Sequence, residues 1–372
     1  MIVLIVNEAC SLGGAENMSI KLANSLIERN LQVYFIAAPG PLSKILDKNI
    51  PLFKINKFNI LNMISIINDL SKIIKKIKPD IIHCQGATLS VLVGVALKKN
   101  KLKSITILTH HSNKFSRLPQ SLSFYLLNKY CDHFIAITQS KFMSLKNGNI
   151  PANKISIIPN FINCDLYNKY VRSVNKKNVY QELDISSDSF VVIGVGRLIY
   201  KKRFDKFIEI LAQCSIKSKR KIVGIIIGAG PLQNNIKSLA QNLSNKIKII
   251  TLGYQKDIYK YFAISNVFLF PTEHNEVLPM APVEASAVGV PLVCSDIPGN
   301  RNVVVNGYNG FLIKGSIEEY CNAILRLSID LELAKKMSVH GVIRAKKLFD
   351  KKVIIDEILL LYQKLISDKI YG

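Results

Sequence analysis

Two glutamates in one short segment suggest a site for a ligand that carries many hydroxyl groups. Glu276 and Glu284 are separated by seven residues. They follow an apolar run, Val267–Phe270, that predicts a strand, and Glu284 opens a segment typical of a helix. Ligands bind at the carboxyl ends of strands in an open parallel sheet, and carboxylates there accept hydrogen bonds from paired hydroxyls. The alternative interpretation is a solvated acidic loop.

A pair of cations, Arg197 and Lys202, follows another apolar run, Phe190–Val195. Arginine offers a two-pronged donor to phosphate oxygens and lysine offers a compact charge, so the pair suits a pyrophosphate. Such charges also stabilise a phosphate leaving group as its negative charge develops. A solvated basic loop is the alternative, because the chain contains 50 lysines and arginines.

Glycine turns follow two further predicted strands. Gly13 and Gly14 come after the first apolar run, and Gly228 and Gly230 come after a later one. Glycine allows a backbone to approach a ligand closely at a helix N-terminus, although a plain tight turn explains either pair equally well. Neither turn has the G-x-G-x-x-G pattern, and the second strand ends without an acidic residue for a ribose. The sequence therefore argues against a dinucleotide enzyme.

Three of the six histidines lie where predicted strands end. His83 ends one strand, and His110 and His111 follow another. Because neighbouring parallel strands end at the same edge, these side chains are candidates for hydrogen bonding or acid–base chemistry. The commoner role for any one histidine is a partly buried ring satisfied by its neighbours. We interpret His133 and His340 as structural.

The sequence predicts neither a metal nor a bound cofactor. It has no D-x-D-type pair of carboxylates for a divalent cation. The seven cysteines are scattered and form no C-x-x-C pair, which argues against a zinc site or a disulfide framework and favours a reducing cytosol. The first apolar run reads as a strand, not as a signal peptide. We therefore predict a cytoplasmic protein.

These motifs alternate along a chain that predicts two wound α/β domains. Near-continuous apolar strands alternate with helical segments, and 372 residues exceed one ordinary core. We predict a first domain at 1–165, a polar linker at 166–188, a second domain at 189–350 and a final helix at 351–372, for which we consider a return to the first domain. Two doubly wound Rossmann-like domains facing a cleft are the simplest architecture.

The chain also has a net charge of +24. Coding bias explains part of this charge, and the remainder indicates an anionic partner. Lysines on a predicted amphipathic helix at 60–78 and in the run 98–103 lead us to predict peripheral contact between the first domain and an anionic membrane, on the inner face of the cytoplasmic membrane. No recognition-helix pattern, aromatic-interleaved basic motif or zinc module is present, so nucleic acid ranks last among the partners.

In combination, the motifs resemble the retaining glycosyltransferases of family 4, also described as glycosyl transferases group 1. The matching segments occur in the order Gly13–Glu16, His111, Arg197 with Lys202, Gly228 and Gly230, Glu276 with Glu284, Gly289–Pro291 and Asn306–Ile313. The spaced glutamates and the two cations are specific only together. The resemblance spans nearly the whole chain and implies the GT-B fold, with an acceptor-binding first domain and a second domain that binds a nucleotide-sugar.

The resemblance also implies catalytic roles. Arg197 and Lys202 would bind the diphosphate, Glu276 would bind hydroxyls of the transferred sugar, and His111 would lie near the anomeric centre. Glu284 would hold the ribose hydroxyls of the nucleotide.

The glycines would contribute backbone to the nucleotide-sugar site. Gly228 and Gly230 would belong to the second domain's binding surface. Gly13 and Gly14 would approach the phosphate from the first domain, so that closure completes the site.

The implied reaction transfers a hexose or N-acetylhexosamine, with retention and without a metal, in the synthesis of cell-surface polysaccharide or lipopolysaccharide. The donor would be a nucleotide-sugar, for which we favour UDP over GDP, and the acceptor would be a glycan or a polyprenyl or other lipid-linked sugar. The alternatives are a sugar-nucleotide epimerase or phosphorylase of the same fold and a weakly active sugar-nucleotide-binding protein. A nucleic-acid binder is a distant alternative.

Two residues depart from the family pattern. Val277 stands where the family usually has glycine, and Asn302 stands where it often has glutamate. A β-branched residue is costly if position 277 needs a positive φ. Either change is expected to alter the choice of donor or to weaken activity.

Overall fold

The chain divides into two compact units. The structure is a computed structural model, and it describes residues 1–11, 13–111, 119–273 and 276–371. The first unit comprises Met1–Phe161 and Lys351–Gly372, and the second comprises Ile162–Asp350. The second unit is therefore continuous in sequence, whereas the first is assembled from both ends of the chain.

The first unit is built on a seven-stranded sheet in which neighbouring strands run parallel. Its strands are β1 (Ile2–Ala9), β2 (Gln32–Ala38), β3 (Leu52–Lys54), β4 (Ile81–Cys84), β5 (Ile105–His110), β6 (His133–Ala136) and β7 (Ile155–Ile157). Their order is β3-β2-β1-β4-β5-β6-β7. The intervening helices are α1 (Gly14–Ile27), α2 (Met63–Ile77), α3 (Ala87–Lys99), α4 (Gln120–Tyr130) and α5 (Gln139–Asn147), with 3-10 turns at Pro41–Ile45 and Ala152–Lys154.

Helical spacing of apolar residues explains how α2 packs. Ile66, Leu70, Ile74 and Ile77 fall on one face and are buried in the core of the first unit. Burial of each such side chain contributes about 1.5–3 kcal/mol relative to exposure. The apolar face of this helix, predicted at 60–78, is therefore occupied by the protein's own core, and its lysines lie on the outer face.

The second unit repeats the same design with a six-stranded parallel sheet. It begins with α6 (Cys164–Ser173) and α7 (Lys176–Glu182). The strands are β8 (Phe190–Val195), β9 (Ile222–Ile227), β10 (Lys248–Thr251), β11 (Val267–Phe270), β12 (Leu292–Ser295) and β13 (Gly310–Ile313), in the order β10-β9-β8-β11-β12-β13. The remaining helices are α8 (Phe204–Lys217), α9 (Gln233–Asn242), α10 (Tyr259–Phe262), α11 (Met280–Ala287), α12 (Pro298–Arg301), α13 (Ile317–Ile329) and α14 (Leu331–Phe349), and Tyr200–Lys202 forms a 3-10 turn.

The prediction of two doubly wound parallel sheets is confirmed. The structure differs from the prediction in the segment between the two sheets and in one outer strand of each sheet. Residues 166–188 are not a linker, since they include most of α6 and all of α7, whose Tyr167 and Val179 are buried in the second unit. The sequence also did not predict β3 and β13, the short outermost strands. Only one side of an edge strand is paired, so it needs no long apolar run.

The final helix, α15 (Lys351–Tyr371), packs with the first unit. Tyr362 on this helix is fully buried, and its hydroxyl lies 2.6 Å from Nδ1 of His83 on β4. The opposite ring nitrogen of His83 lies 2.6 Å from Oγ1 of Thr109. In the described parts of the chain, no helix is both long and apolar enough to cross a bilayer.

Candidate active site

The topology of the second unit brings its predicted site residues to one edge. β8 and β11 are neighbours in the sheet although they are not consecutive in sequence, so the strand order reverses between them. Crevices that bind ligands form at such a switch point, outside the carboxyl ends of the strands. Arg197 and Lys202 follow β8, and Glu276 follows β11. Two cations and one carboxylate therefore follow the carboxyl ends of two neighbouring strands.

Lys202 and Glu276 form an ion pair at this edge. The Nζ of Lys202 lies 2.8 Å from Oε1 of Glu276, and the two side chains are 15% and 23% exposed. The same ammonium lies 4.7 Å from the centroid of the Phe270 ring, at the end of β11. A cation and a carboxylate held side by side can bind a phosphate and a hydroxyl of one ligand.

The loop that carries Lys202 is tied to the loop after β11. The carbonyl of Lys201 accepts a hydrogen bond from the backbone N–H of Glu273 at 2.9 Å and from Oγ1 of Thr272 at 2.7 Å. Arg203 forms ion pairs with Asp205 and Glu273. The two loops thus hold each other in place, and sequence reasoning had no signal for this reciprocal support.

Arg197 is exposed on the loop that follows β8. Among the described residues, it forms no ion pair. Its loop is packed against the glycine turn after β9. A Cβ on Gly228 would lie 1.8 Å from the Gly196 carbonyl oxygen, and one on Gly230 would lie 2.4 Å from the Leu198 carbonyl oxygen. These glycines are therefore required by close packing of two loops, and they position Arg197 indirectly.

Glu284 lies inside α11, and not at its beginning as the sequence suggested. The helix starts at Met280, four residues earlier, so only Glu276 belongs to the strand-to-helix loop. Oε1 of Glu284 accepts a hydrogen bond of 2.8 Å from the hydroxyl of Tyr167 on α6. Burial, followed by the nearby Glu284 carboxylate, raises the pKa of Tyr167, so this hydroxyl keeps its proton and donates it.

The Tyr167 ring is held in turn by aromatic contacts. It packs edge-on against Tyr259, with ring centroids 4.6 Å apart. The Tyr170 ring stacks on the Tyr259 ring, with centroids 5.1 Å apart. Sequence reasoning placed these α6 residues at the start of the supposed linker and therefore missed them. The polar segment that suggested a linker carries the residues that orient a site carboxylate.

The two departures from the family pattern contact each other. The side-chain amide of Asn302 donates to the backbone carbonyl of Val277 at 3.1 Å. Val277 is not one of the described non-glycine residues with a positive φ, so its backbone suits a β-branched side chain. Close packing is needed instead at Gly299, where a Cβ would lie 2.1 Å from the Glu276 carbonyl oxygen. Asn302 thus fixes the peptide group that follows Val277, one residue beyond Glu276.

In the first unit, Gly13 and Gly14 lie at the start of α1. The backbone N–H of Gly13 donates to the Ser11 carbonyl at 2.9 Å, and the Glu16 side chain folds over Gly13. A Cβ on Gly14 would meet open space. The N-terminus of α1 is therefore open beside Gly14, although the carboxylate of Glu16 already lies nearby and would compete with a phosphate.

His111 follows β5 and is paired with Gln85, which follows β4. The Nε2 of His111 lies 2.7 Å from Oε1 of Gln85. An amide oxygen only accepts, so Nε2 carries the proton and Nδ1 is the acceptor of the neutral ring. Burial, with a smaller effect from Lys141, lowers the pKa of His111 to about 4. The side chain therefore suits a hydrogen bond from a hydroxyl group.

His83 and His110 lie near His111, whose charge adds a smaller effect to burial in lowering the pKa of each. His83 is buried between Tyr362 and Thr109, so the commoner interpretation, a satisfied structural ring, applies to it. His110 is buried at the end of β5, and burial lowers its pKa to about 3. Across the part of the chain that the structure describes, no cluster of three or more His, Cys, Asp or Glu side chains is arranged to hold a metal ion.

Two family models match the chain. A model described as Glycosyltransferase Family 4 matches residues 12–166, and a model described as Glycosyl transferases group 1 matches residues 175–341. Together they cover most of the sequence and correspond to the two wound sheets.

Curated relatives align over almost the full length of the chain. An Escherichia coli UDP-Gal:alpha-D-GlcNAc-diphosphoundecaprenol alpha-1,3-galactosyltransferase is 27% identical, covering 96% of this chain and 95% of the relative. The capsular polysaccharide biosynthesis glycosyltransferase CapM of Staphylococcus aureus is 24% identical, covering 94% and 95%.

Solved structures share the fold. Anabaena Alr3699/HepE in complex with UDP superposes with a TM-score of 0.83 at 22% identity, covering 98% of this chain and 100% of the other. A glycosyltransferase from Rickettsia africae gives a TM-score of 0.83 at 21% identity, covering 98% of each chain. The chain therefore belongs to the family 4 and group 1 glycosyltransferases and is an enzyme with the GT-B fold.

Proposed function

We propose that this glycosyltransferase transfers a hexose or N-acetylhexosamine from a nucleotide-sugar to a glycan or lipid-linked acceptor. We favour a UDP-linked donor over a GDP-linked one, and retention of the anomeric configuration. The product would serve the synthesis of cell-surface polysaccharide or lipopolysaccharide.

The observation that carries this proposal is the Lys202–Glu276 ion pair at the switch point of the second sheet. A sugar diphosphate has negative charge next to neutral hydroxyls, and the pair offers a cation next to a carboxylate. A phosphate near Lys202 would share the ammonium with Glu276, and a sugar hydroxyl would donate to the carboxylate.

The positions of the charges support the division of labour that we propose. Arg197 and Lys202 stabilise the diphosphate as the glycosidic bond breaks and negative charge grows on the leaving oxygen. Glu284, oriented by Tyr167, accepts hydrogen bonds from the ribose hydroxyls. Glu276 orients the sugar. His111, with a neutral ring, is proposed to accept a hydrogen bond from a sugar hydroxyl.

The names of relatives support the class of substrate. The Escherichia coli relative is named for a UDP-galactose donor and a diphosphoundecaprenol-linked acceptor. Relatives named for capsular polysaccharide and for lipopolysaccharide core biosynthesis point to cell-surface glycans. The Anabaena structure is a complex with UDP, which supports the choice of nucleotide.

Donor binding tests the proposal directly. Calorimetric titration with UDP and GDP, and with their hexose and N-acetylhexosamine conjugates, is expected to show binding of a UDP-sugar. Arg197→Ala and Glu284→Ala should weaken it at least about tenfold, because each removes a charged hydrogen bond. Lys201→Ala, a neighbouring exposed lysine whose side chain has no proposed role, is the control. Binding of no nucleotide-sugar, or equal binding by all variants, would contradict the proposal.

A narrower variant tests the orientation of Glu284. Tyr167→Phe removes only the hydroxyl that bonds the carboxylate, and Tyr170→Phe is matched because the Tyr170 ring stacks within the same cluster. UDP affinity should fall for the first variant and not for the second. NMR of the product's anomeric proton tests retention, and isomerised donor without acceptor-dependent product would indicate an epimerase instead.

A further inference from the structure

The first unit presents a small apolar tip that nothing in the described structure covers. Ile60, Leu61, Met63 and Ile64 are 66%, 96%, 40% and 70% exposed. They lie immediately before and at the start of α2, where the sequence predicted the beginning of an amphipathic helix. Exposed apolar side chains that cluster in this way mark interaction surfaces, whereas scattered ones are ordinary.

The tip is held rigidly by its own polar groups. Asn59 and Asn62 bond reciprocally, each side-chain oxygen accepting the other's backbone N–H at 2.9 Å. The Asn62 amide also donates to the carbonyl of Lys57 at 2.8 Å. The turn therefore satisfies several of its backbone groups internally while it directs apolar side chains outward. Backbone that enters the apolar part of a bilayer must be satisfied in this way.

Exposed lysines precede the tip and follow it along α2. Lys72, Lys75 and Lys76 lie on the outer face of α2, and Lys57 lies before the tip; all four are exposed. The Nζ of Lys99, at the end of α3, lies 3.3 Å from Oδ1 of Asn68 on the same outer face. Lys99, from the second predicted basic segment, thus lies on the same outer face as the lysines of α2.

We propose that this surface, Ile60–Ile64 with the lysines of α2 and Lys99, docks the enzyme on a bilayer that contains anionic lipids. The apolar side chains enter the interface, and the ammonium groups contact lipid phosphates. The proposal differs from the amphipathic helix expected from the sequence, since the apolar face of α2 is buried in the core. It stands independently of the transfer reaction, because binding needs neither donor nor acceptor.

Insertion of the tip can be measured with a single fluorophore, because the chain contains no tryptophan. Leu61→Trp places an indole at the tip, and Ile329→Trp places one at a similarly exposed apolar position in the second unit, where Ile329 is 80% exposed. With vesicles of phosphatidylcholine and phosphatidylglycerol, the emission of Leu61→Trp is expected to shift to the blue. No shift is expected for Ile329→Trp, or for either variant without vesicles.

Flotation of the full chain with the same vesicles tests the contribution of each part. Leu61→Asp should lower binding at least about tenfold, since one buried leucine is worth that much in transfer free energy. Ile329→Asp should leave binding unchanged. Binding should also weaken in about 1 M salt, where the screening length falls to about 3 Å.

Three outcomes would overturn the proposal. Equal flotation of Leu61→Asp and parent would exclude the tip, and equal binding to vesicles of phosphatidylcholine alone would exclude the anionic component. Self-association in light scattering that is lost in Leu61→Asp, with no binding to vesicles, would assign the tip to a second copy of the chain. Since Leu61 is almost fully exposed, unchanged thermal unfolding of Leu61→Asp is expected and distinguishes lost docking from misfolding.

Discussion

At the scale of single residues, Val277 and Asn302 form one contact. The Asn302 amide donates to the Val277 carbonyl, and it also donates to the Pro298 carbonyl at 3.1 Å. A glutamate at position 302 could accept hydrogen bonds but could not donate one to either carbonyl. We infer that Asn302 is a positioning residue for the loop that carries Glu276.

We predict that Asn302→Asp lowers kcat/KM for the donor about 5- to 30-fold, because it removes a donor worth about 1–2 kcal/mol and adds a charge beside a carbonyl. Asn306→Asp is a matched control, since Asn306 acts through its oxygen, which accepts from the N–H of Leu312, and aspartate keeps that acceptor. Steady-state kinetics with varied donor measure both. Equal effects of the two substitutions, or an Asn302→Asp loss confined to thermal stability, would contradict the positioning role.

At the scale of elements, loops that touch each other determine where the site residues lie. The turn after β9 packs so closely against the turn after β8 that only glycine, which has no Cβ, fits at positions 228 and 230. This contact holds the loop that contains Arg197 in place. The hydrogen bonds to the Lys201 carbonyl hold the turn that contains Lys202. Neighbouring loops therefore act as one support for Arg197 and Lys202, the cations that we propose bind phosphate.

We expect Gly230→Ala to destabilise the second unit by about 1–3 kcal/mol and to weaken donor binding, since its Cβ would overlap the Leu198 backbone. Gly196→Ala, in the facing turn, is the control, because its Cβ would make only ordinary contacts from 3.7 Å. Urea unfolding and calorimetric titration report the two effects. A Gly230→Ala protein that matches Gly196→Ala in both would disprove the close-packing role.

Elements with strong local patterns were predictable from sequence, and those stabilised by long-range contacts were not. The long apolar runs of β1 and β8 can only be buried strands, so the alternation and the wound sheets followed from them. The sequence predicts the start of α11 near Pro282, two residues late, because Pro279 and Met280 carry no capping side chain to mark it. The Tyr167–Glu284 bond joins residues 117 positions apart, and no local pattern encodes such a partner.

At the scale of the whole molecule, buried histidines make stability depend on pH. Burial lowers the pKa of His83 and of His110 to about 3, and that of His111 to about 4. The unfolded chain has ordinary histidines with a pKa near 6.5 and binds more protons than the folded one below that value. The stabilisation is complete above about pH 6.5 and is lost as the pH falls towards 4 for His111 and towards 3 for His83 and His110.

We therefore predict that the free energy of unfolding of the first unit falls between about pH 6.5 and about pH 4, with a slope near 1.4 kcal/mol per pH unit for each buried histidine. Urea unfolding at a series of pH values measures the slope. His83→Gln, whose amide can still bond Tyr362 and Thr109, should reduce it by about one proton. An unchanged slope in that variant would show that His83 is not a source of the acid sensitivity.

The return of α15 to the first unit has a consequence for synthesis of the chain on the ribosome. Residues 162–350 form a continuous unit and leave the ribosome before α15 does. The first unit has its sheet early but lacks α15, and with it the Tyr362 partner of His83, until Lys351–Tyr371 has emerged. The second unit can therefore complete its fold first, although the first is synthesised before it. Until then, the face of the first unit to which α15 binds stays uncovered.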